Sequence, residues 1–143
     1  MKKKIFMVAS LFLICGAIYA QKDKKANIKF DKTTYNMGTF AAEDAIIECP
    51  FIYTNIGDAP LYIHQIFTSC GCTEKRFPTA PLMPGESDTI FITYNGKTKS
   101  PGNIRKSVTV HCNAPKEMYK LYIKGEMLPA KVKETEKPFT PEE

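Results

Sequence analysis

Four stretches of the chain alternate apolar and polar residues with a period of two. Ile47, Cys49, Phe51 and Tyr53 alternate with Glu48, Pro50, Ile52 and Thr54. Ile90, Ile92 and Tyr94 alternate with Thr89, Phe91 and Thr93, and Val108, Val110 and Cys112 with Ser107, Thr109 and His111. Tyr119, Leu121 and Ile123 alternate with Lys120, Tyr122 and Lys124. Successive side chains of an extended backbone point to opposite faces, so this period marks strands with one buried face. The runs are rich in β-branched and aromatic residues, which suit a pleated surface. No stretch among them sustains a helical period.

Turn residues separate the runs. Asn55-Ile56-Gly57-Asp58-Ala59-Pro60 divides two strands, and Asn95-Gly96, Pro101-Gly102-Asn103 and Asn113-Ala114-Pro115 punctuate the rest. Pro84-Gly85 joins a residue that presets φ to one that supplies φ > 0. The pattern predicts strand A over Lys29–Phe40, broken in two, then B at Ala45–Asn55 and C at Leu61–Phe67. An irregular stretch covers Thr73–Met83. Strand E follows at Asp88–Tyr94, F at Asn103–Cys112 and G at Met118–Met127. Strands at this spacing predict an all-β, immunoglobulin-like β-sandwich of about seven strands. Its core is expected to hold Phe51, Tyr53, Ile90, Ile92, Val108, Val110, Leu121 and Ile123.

The flanks differ in character. Lys2, Lys3 and Lys4 precede an uncharged run from Ile5 to Ala20, and Gln21-Lys22-Asp23-Lys24-Lys25 follows. A basic start, a short apolar run and a small residue before a polar stretch read as a cleavable secretory signal over residues 1–20. The run is shorter than the roughly 20 apolar residues a spanning helix needs. Residue 14, before Cys15, is Ile14 rather than a small residue, which argues against lipid attachment. Residues 21–26 read as a mobile lead-in, 27–128 as the folded domain, and 129–143 as a disordered charged tail. Removing 20 of 143 residues leaves 123, enough for one domain with its own core. The net charge of +5 falls to about +2 without the three signal lysines, which argues against nucleic-acid binding. Periplasmic or secreted localisation is expected, with no membrane span after cleavage.

The order Phe30-Asp31, Tyr35, Gly38-Thr39-Phe40, Phe51, Thr54-Asn55, Gly57-Asp58, Pro60-Leu61, Ser69-Cys70-Gly71-Cys72-Thr73, Pro84-Gly85-Glu86, Asn113-Ala114 and Leu121 to Gly125 carries a resemblance. Between about Ile28 and Met127 the chain resembles the bacterial domain of unknown function 1573, common in exported proteins of Bacteroidetes. That family is similar to the immunoglobulin-like domains of the ASPM, SPD-2 and hydin group and of major sperm protein. The resemblance implies a protein-interaction module and no catalytic residue. Cys49 and Cys112 lie outside its pattern.

Enzyme signatures such as G-x-S-x-G, H-E-x-x-H and G-x-x-x-x-G-K are missing from the sequence, and only His64 and His111 offer imidazoles. No catalysis, cofactor or metal is expected. Cys70-Gly71-Cys72 is the most pointed motif, and three readings of it stay open. It is a structural disulfide, closed on itself or joined to Cys49; or a reactive dithiol with a lowered thiolate pKa; or part of a soft-metal site, for which two thiolates fall short of four ligands.

An immunoglobulin-like connectivity places C, F and G in one sheet. Leu61 and Ile63 then face inward and His64 outward, opposite an outward His111. Tyr62, His64, His111 and Tyr122, with Ile66 as a candidate neighbour, are expected to form an exposed partner face. The start of B and the exit of C share one end of the sandwich, so Cys49 is expected to bond Cys70 or Cys72, while Cys112 at the far end stays unpaired and buried. The leading function is a non-enzymatic interaction or structural module of the cell envelope with a protein partner. The alternative is a thiol-redox or metal-handling protein built on Cys70 and Cys72.

Overall fold

A computed structural model describes residues 23–130 of the chain. The expected signal, and the tail beyond residue 130, lie outside the described residues. Eight strands form two four-stranded sheets: β1 (Ile28–Phe30), β2 (Thr34–Ala41), β3 (Ile46–Asn55), β4 (Ile63–Thr68), β5 (Thr73–Arg76), β6 (Ser87–Asn95), β7 (Gly102–Cys112) and β8 (Met118–Leu128). One sheet runs β1-β3-β6-β5 and the other β2-β8-β7-β4. This is the expected immunoglobulin-like sandwich, with strands C, F and G realised as neighbours β4, β7 and β8.

The period-two pattern explains the core. Cys49, Phe51 and Tyr53 of β3 and Ile90, Ile92 and Tyr94 of β6 are buried on one inner face. Ile66, Val108, Val110, Leu121 and Ile123 are buried on the other. Each such side chain contributes roughly 1.5–3 kcal/mol by leaving water. The broken first strand switches sheets. β1 pairs antiparallel with β3, whereas β2 pairs parallel with β8. Phe30, at the break, packs between Tyr53 of one sheet and Tyr119 of the other, with ring centres 6.0 Å from each.

Asn55 is a fully buried polar side chain at the end of β3. Its Nδ2 donates to the carbonyls of Ala59 (2.9 Å) and Leu82 (2.8 Å). Its Oδ1 accepts from the Gly57 amide at 3.0 Å and, more distantly, from that of Asn27 at 3.5 Å. The Asn55 backbone holds the Pro84-Gly85 turn: Asn55 N donates to Glu86 O, and Gly85 N donates to Asn55 O. Within that turn Glu86 N bonds Met83 O, and Gly85 has φ of 85°. These are the marks of a type II turn, in which proline and then glycine occupy the centre.

The lead-in is ordered at its end. Ala26 is buried, Lys25 N donates to Asp58, and Asp58 N donates to Lys25 O. The domain therefore begins ahead of the expected Asn27. Gly57 makes room for this segment, since a Cβ there would collide with backbone atoms of Lys25, Ala26 and Asn27.

β5 is not among the expected strands, and its residues Thr73 to Arg76 fall in the expected irregular stretch. Three of its four residues are exposed and charged, so no apolar alternation marks it. It is a strand because β6 presents a free edge, with Thr73 opposite Tyr94 and Arg76 opposite Phe91.

Two stability outcomes follow from these contacts. Asn55→Ala removes at once the carboxamide's bonds to Ala59 O, Leu82 O and Gly57 N, and is expected to cost about 2–4 kcal/mol in urea unfolding. Asn113→Ala, whose hydrogen bonds are exposed, is expected to cost less than about 1 kcal/mol in the same assay. Gly57→Ala is expected to lower stability by more than about 2 kcal/mol, because the colliding atoms are backbone. Gly71→Ala, with nothing within 4 Å of its added carbon, is expected to shift it by less than about 0.5 kcal/mol.

Candidate functional site

The Cys-Gly-Cys motif lies in the link that carries the chain from β4 in one sheet to β5 in the other. Cys70 and Cys72 are disulfide-bonded to each other, with Cα atoms 5.3 Å apart. Both ends of the link are anchored by hydrogen bonds. Ser69 N donates to Ser107 O, Ser107 N donates to Ser69 Oγ, and Asn95 N donates to Cys72 O. The Thr73 hydroxyl lies 3.4 Å from Cys70 Sγ and 3.9 Å from Cys72 Sγ. Both cysteines are half-buried and Gly71 is exposed.

The expected bond from Cys49 to Cys70 or Cys72 is not formed, and Cys49 leaves the candidate thiol site. Topology placed the right end of the sandwich together, but depth in the strand decides reach. Cys49 is opposite Ile92, and Ile92 is opposite Lys75. Cys72 is three residues from Lys75, so it lies about 10 Å along the strands and about 10 Å across them. The resulting span of about 14 Å is twice the roughly 7 Å a disulfide allows. Cys49 is instead a buried thiol in contact with Ile47 O at 3.8 Å. Burial, aided by the charge of Glu48, pushes its pKa up to about 12. Cys112 is also free and buried, and burial raises its pKa although the Ala114 backbone partly opposes the shift. Neither thiol has the lowered pKa of a reactive cysteine.

The second candidate region is the outer face of β4, β7 and β8. His64 and His111 come together there, with ring centres 5.4 Å apart. A β-bulge falls at this point. The register of β4 against β7 shifts between Ile63 and Gln65, which places His64 at the extra residue. A bulge reverses the inward and outward alternation beyond it. Ile66, expected as an outward neighbour of His64, is therefore fully buried, and Phe67 is turned outward.

The rest of the expected face is only partly assembled. Tyr62 is exposed just ahead of β4, its amide donating to Asn113 Oδ1 and its carbonyl accepting from Asn113 N. Tyr122 is opposite Ser107, four residues along β7 from His111, or about 13 Å away. Its ring is covered by the Arg105 guanidinium, 5.3 Å from the ring centre. The residues that share the outer rows are others. Gln65, His111 and Met118 form one row, and Phe67, Thr109 and Lys120 the next. Phe67 is 50% and Met118 56% exposed. Neither stood out in the sequence: Phe67 falls in the wrong alternation until the bulge is known, and Met118 begins its strand.

The comparisons with known proteins bear on the whole domain. In structure the chain is similar to a protein of unknown function from Porphyromonas gingivalis W83, with a TM-score of 0.62 and 20% identity. That match covers 71% of this chain and 46% of the other, so the chain spans less than half of that protein. The chain is also similar to the ASH / PapD-like domain 7 of human CEP192, with a TM-score of 0.58 and 12% identity, covering 74% and 88% of the two chains. The periplasmic chaperone SfaE is similar at a TM-score of 0.50 and 13% identity, over 72% of this chain and 58% of that one. At such identities the likeness shows the fold alone. No curated protein matches the chain in sequence. The sequence model of the family described as "Protein of unknown function (DUF1573)" matches residues 28–127, and the chain belongs to that family.

Proposed function

We propose that the domain is an exported, non-enzymatic interaction module of the cell envelope that binds a protein on the outer face of β4, β7 and β8. The observation that carries this reading is the half-exposed apolar pair Phe67 and Met118, set in rows with Gln65, His111, Thr109 and Lys120. Apolar and aromatic side chains ringed by polar ones are what the centre of a protein interface requires. The PapD-like and periplasmic-chaperone folds support it by analogy of architecture. Export is supported by the signal-like residues 1–20 and by a bonded cysteine pair, which persists in an oxidising compartment.

A second reading has one specific observation behind it: Cys70 and Cys72 are bonded to each other in a half-buried link. Such a pair can take two electrons from a partner dithiol, opening to two thiols while the partner closes its own disulfide. The bond encloses very few residues, so it restricts the unfolded chain little, by about 1.6 kcal/mol in the chain-entropy formula. The bonds from Ser69, Ser107 and Asn95 that anchor the link do not involve the sulfurs.

Two measurements separate these readings. Alkylation of the folded chain is expected to leave Cys49 and Cys112 unmodified, and after mild reduction to add label at Cys70 and Cys72 with the fold retained. Fast labelling of Cys49 in the folded chain would contradict its burial. Capture of envelope proteins is expected to weaken at least about tenfold in the Phe67→Ser, Met118→Ser double variant, as central interface residues do. Ile52→Ser, exposed on the opposite sheet, and the Cys70→Ser, Cys72→Ser pair are expected to leave capture unchanged. Loss of capture in the cysteine pair alone would favour the redox reading.

A further inference from the structure

We infer that His64 and His111 form a two-imidazole site for a divalent zinc ion. The inference does not depend on the face binding a protein. His64 on β4 and His111 on the neighbouring β7 meet at the bulge, and the ring centres lie 5.4 Å apart. Among the described residues neither ring makes a hydrogen bond or an ion pair. Both rings border one surface depression of about 350 Å³, which Asn113 and Glu117 also line.

The spacing suits a tetrahedral ion such as zinc. A ring nitrogen lies about 1.1 Å from its ring centre and zinc about 2.1 Å beyond it, so a bound ion sits about 3.2 Å from each centre. Two rings on one tetrahedral ion then have centres about 5.2 Å apart. Neighbouring rings on a square-planar ion, the preference of Cu(II), would have centres about 4.5 Å apart. The observed 5.4 Å matches the tetrahedral case. Turning a ring about its Cβ–Cγ bond redirects its nitrogens and leaves the ring centre nearly in place.

The ligand set is open. Among the described residues no third His, Cys, Asp or Glu completes a larger group. Cys112 borders the same depression, but its side chain is only 1% exposed. Two imidazoles leave the remaining tetrahedral positions to water or to a carboxylate from another molecule, unlike the closed four-ligand sets of structural zinc. The site is thus suited to reversible zinc capture.

The test is calorimetric titration of zinc chloride into the oxidised full chain, with the His64→Gln, His111→Gln and double variants alongside. One ion per chain is expected to bind, with zinc shifting the ring nitrogen resonances of both histidines. Each single variant is expected to weaken binding by about tenfold or more, since even the groups that only orient a metal ligand are worth that much. The double variant is expected to lose the site while unfolding at the same urea concentration as the parent. Equal binding by the parent and the double variant would overturn the proposal, as would zinc binding that leaves both rings' resonances unmoved, or no binding at all.

Discussion

The Asn55 carboxamide ties three separate parts of the chain to the end of β3. A buried amide group is tolerated only when its donors and acceptor are occupied, because an unmet one costs about 1–3 kcal/mol. Here the acceptor takes the amides of Asn27 and Gly57 and the donors reach the carbonyls of Ala59 and Leu82. The lead into β1, the β3–β4 turn and the segment before the Pro84-Gly85 turn are thereby fixed to the end of β3. The turn itself is then held by the Asn55 main chain through Gly85 and Glu86. Main-chain bonds such as Ile56 N to Asn27 O and the Leu61–Leu82 pair also join these segments, and the carboxamide adds the donors and acceptor that the remaining buried groups need.

The sandwich separates its sulfur chemistry by depth. Cys49 and Cys112 lie among core side chains, where burial raises their pKa and makes them behave as small apolar residues. Cys70 and Cys72 lie in the link between sheets, where the chain is already anchored by main-chain bonds to Ser107 and Asn95. A bond across so short a link adds little to the stability of the fold. Its placement at the rim keeps the sulfurs within reach of another protein, whereas the core thiols are sealed by packing. The same four residues thus serve two different physical roles, decided by position along a strand.

On the same edge, one extra residue near the start of β4 changes what the surface offers. The bulge turns Ile66 into the core and Phe67 outward, beside the point where His64 meets His111. β4 is also an edge strand, and the Lys75 ammonium donates to the Ile66 carbonyl from β5. A charged side chain bound at an edge discourages pairing with other chains. On this side the face of the sheet carries apolar, imidazole and basic groups side by side.

Sequence alone determined the sheet class, seven of the eight strands and the residues of the core, because period-two alternation records burial directly. It also determined the Pro84-Gly85 turn, whose two residues have backbone preferences independent of context, and the solitary, buried state of Cys112. It could suggest that Asn55 serves the β3–β4 turn, but not that the same side chain reaches Leu82 and Asn27. Tertiary structure decided the rest. β5 exists because a neighbouring edge needs a partner, which its own charged residues do not announce. The Cys70–Cys72 bond replaced the expected Cys49 bond because reach depends on distance in two directions, and strand order supplies only which end of the sandwich a residue occupies. The bulge at His64 decided the surface, because inserting one residue reverses every alternation after it, and no local pattern of apolar and polar residues marks where a strand gains one.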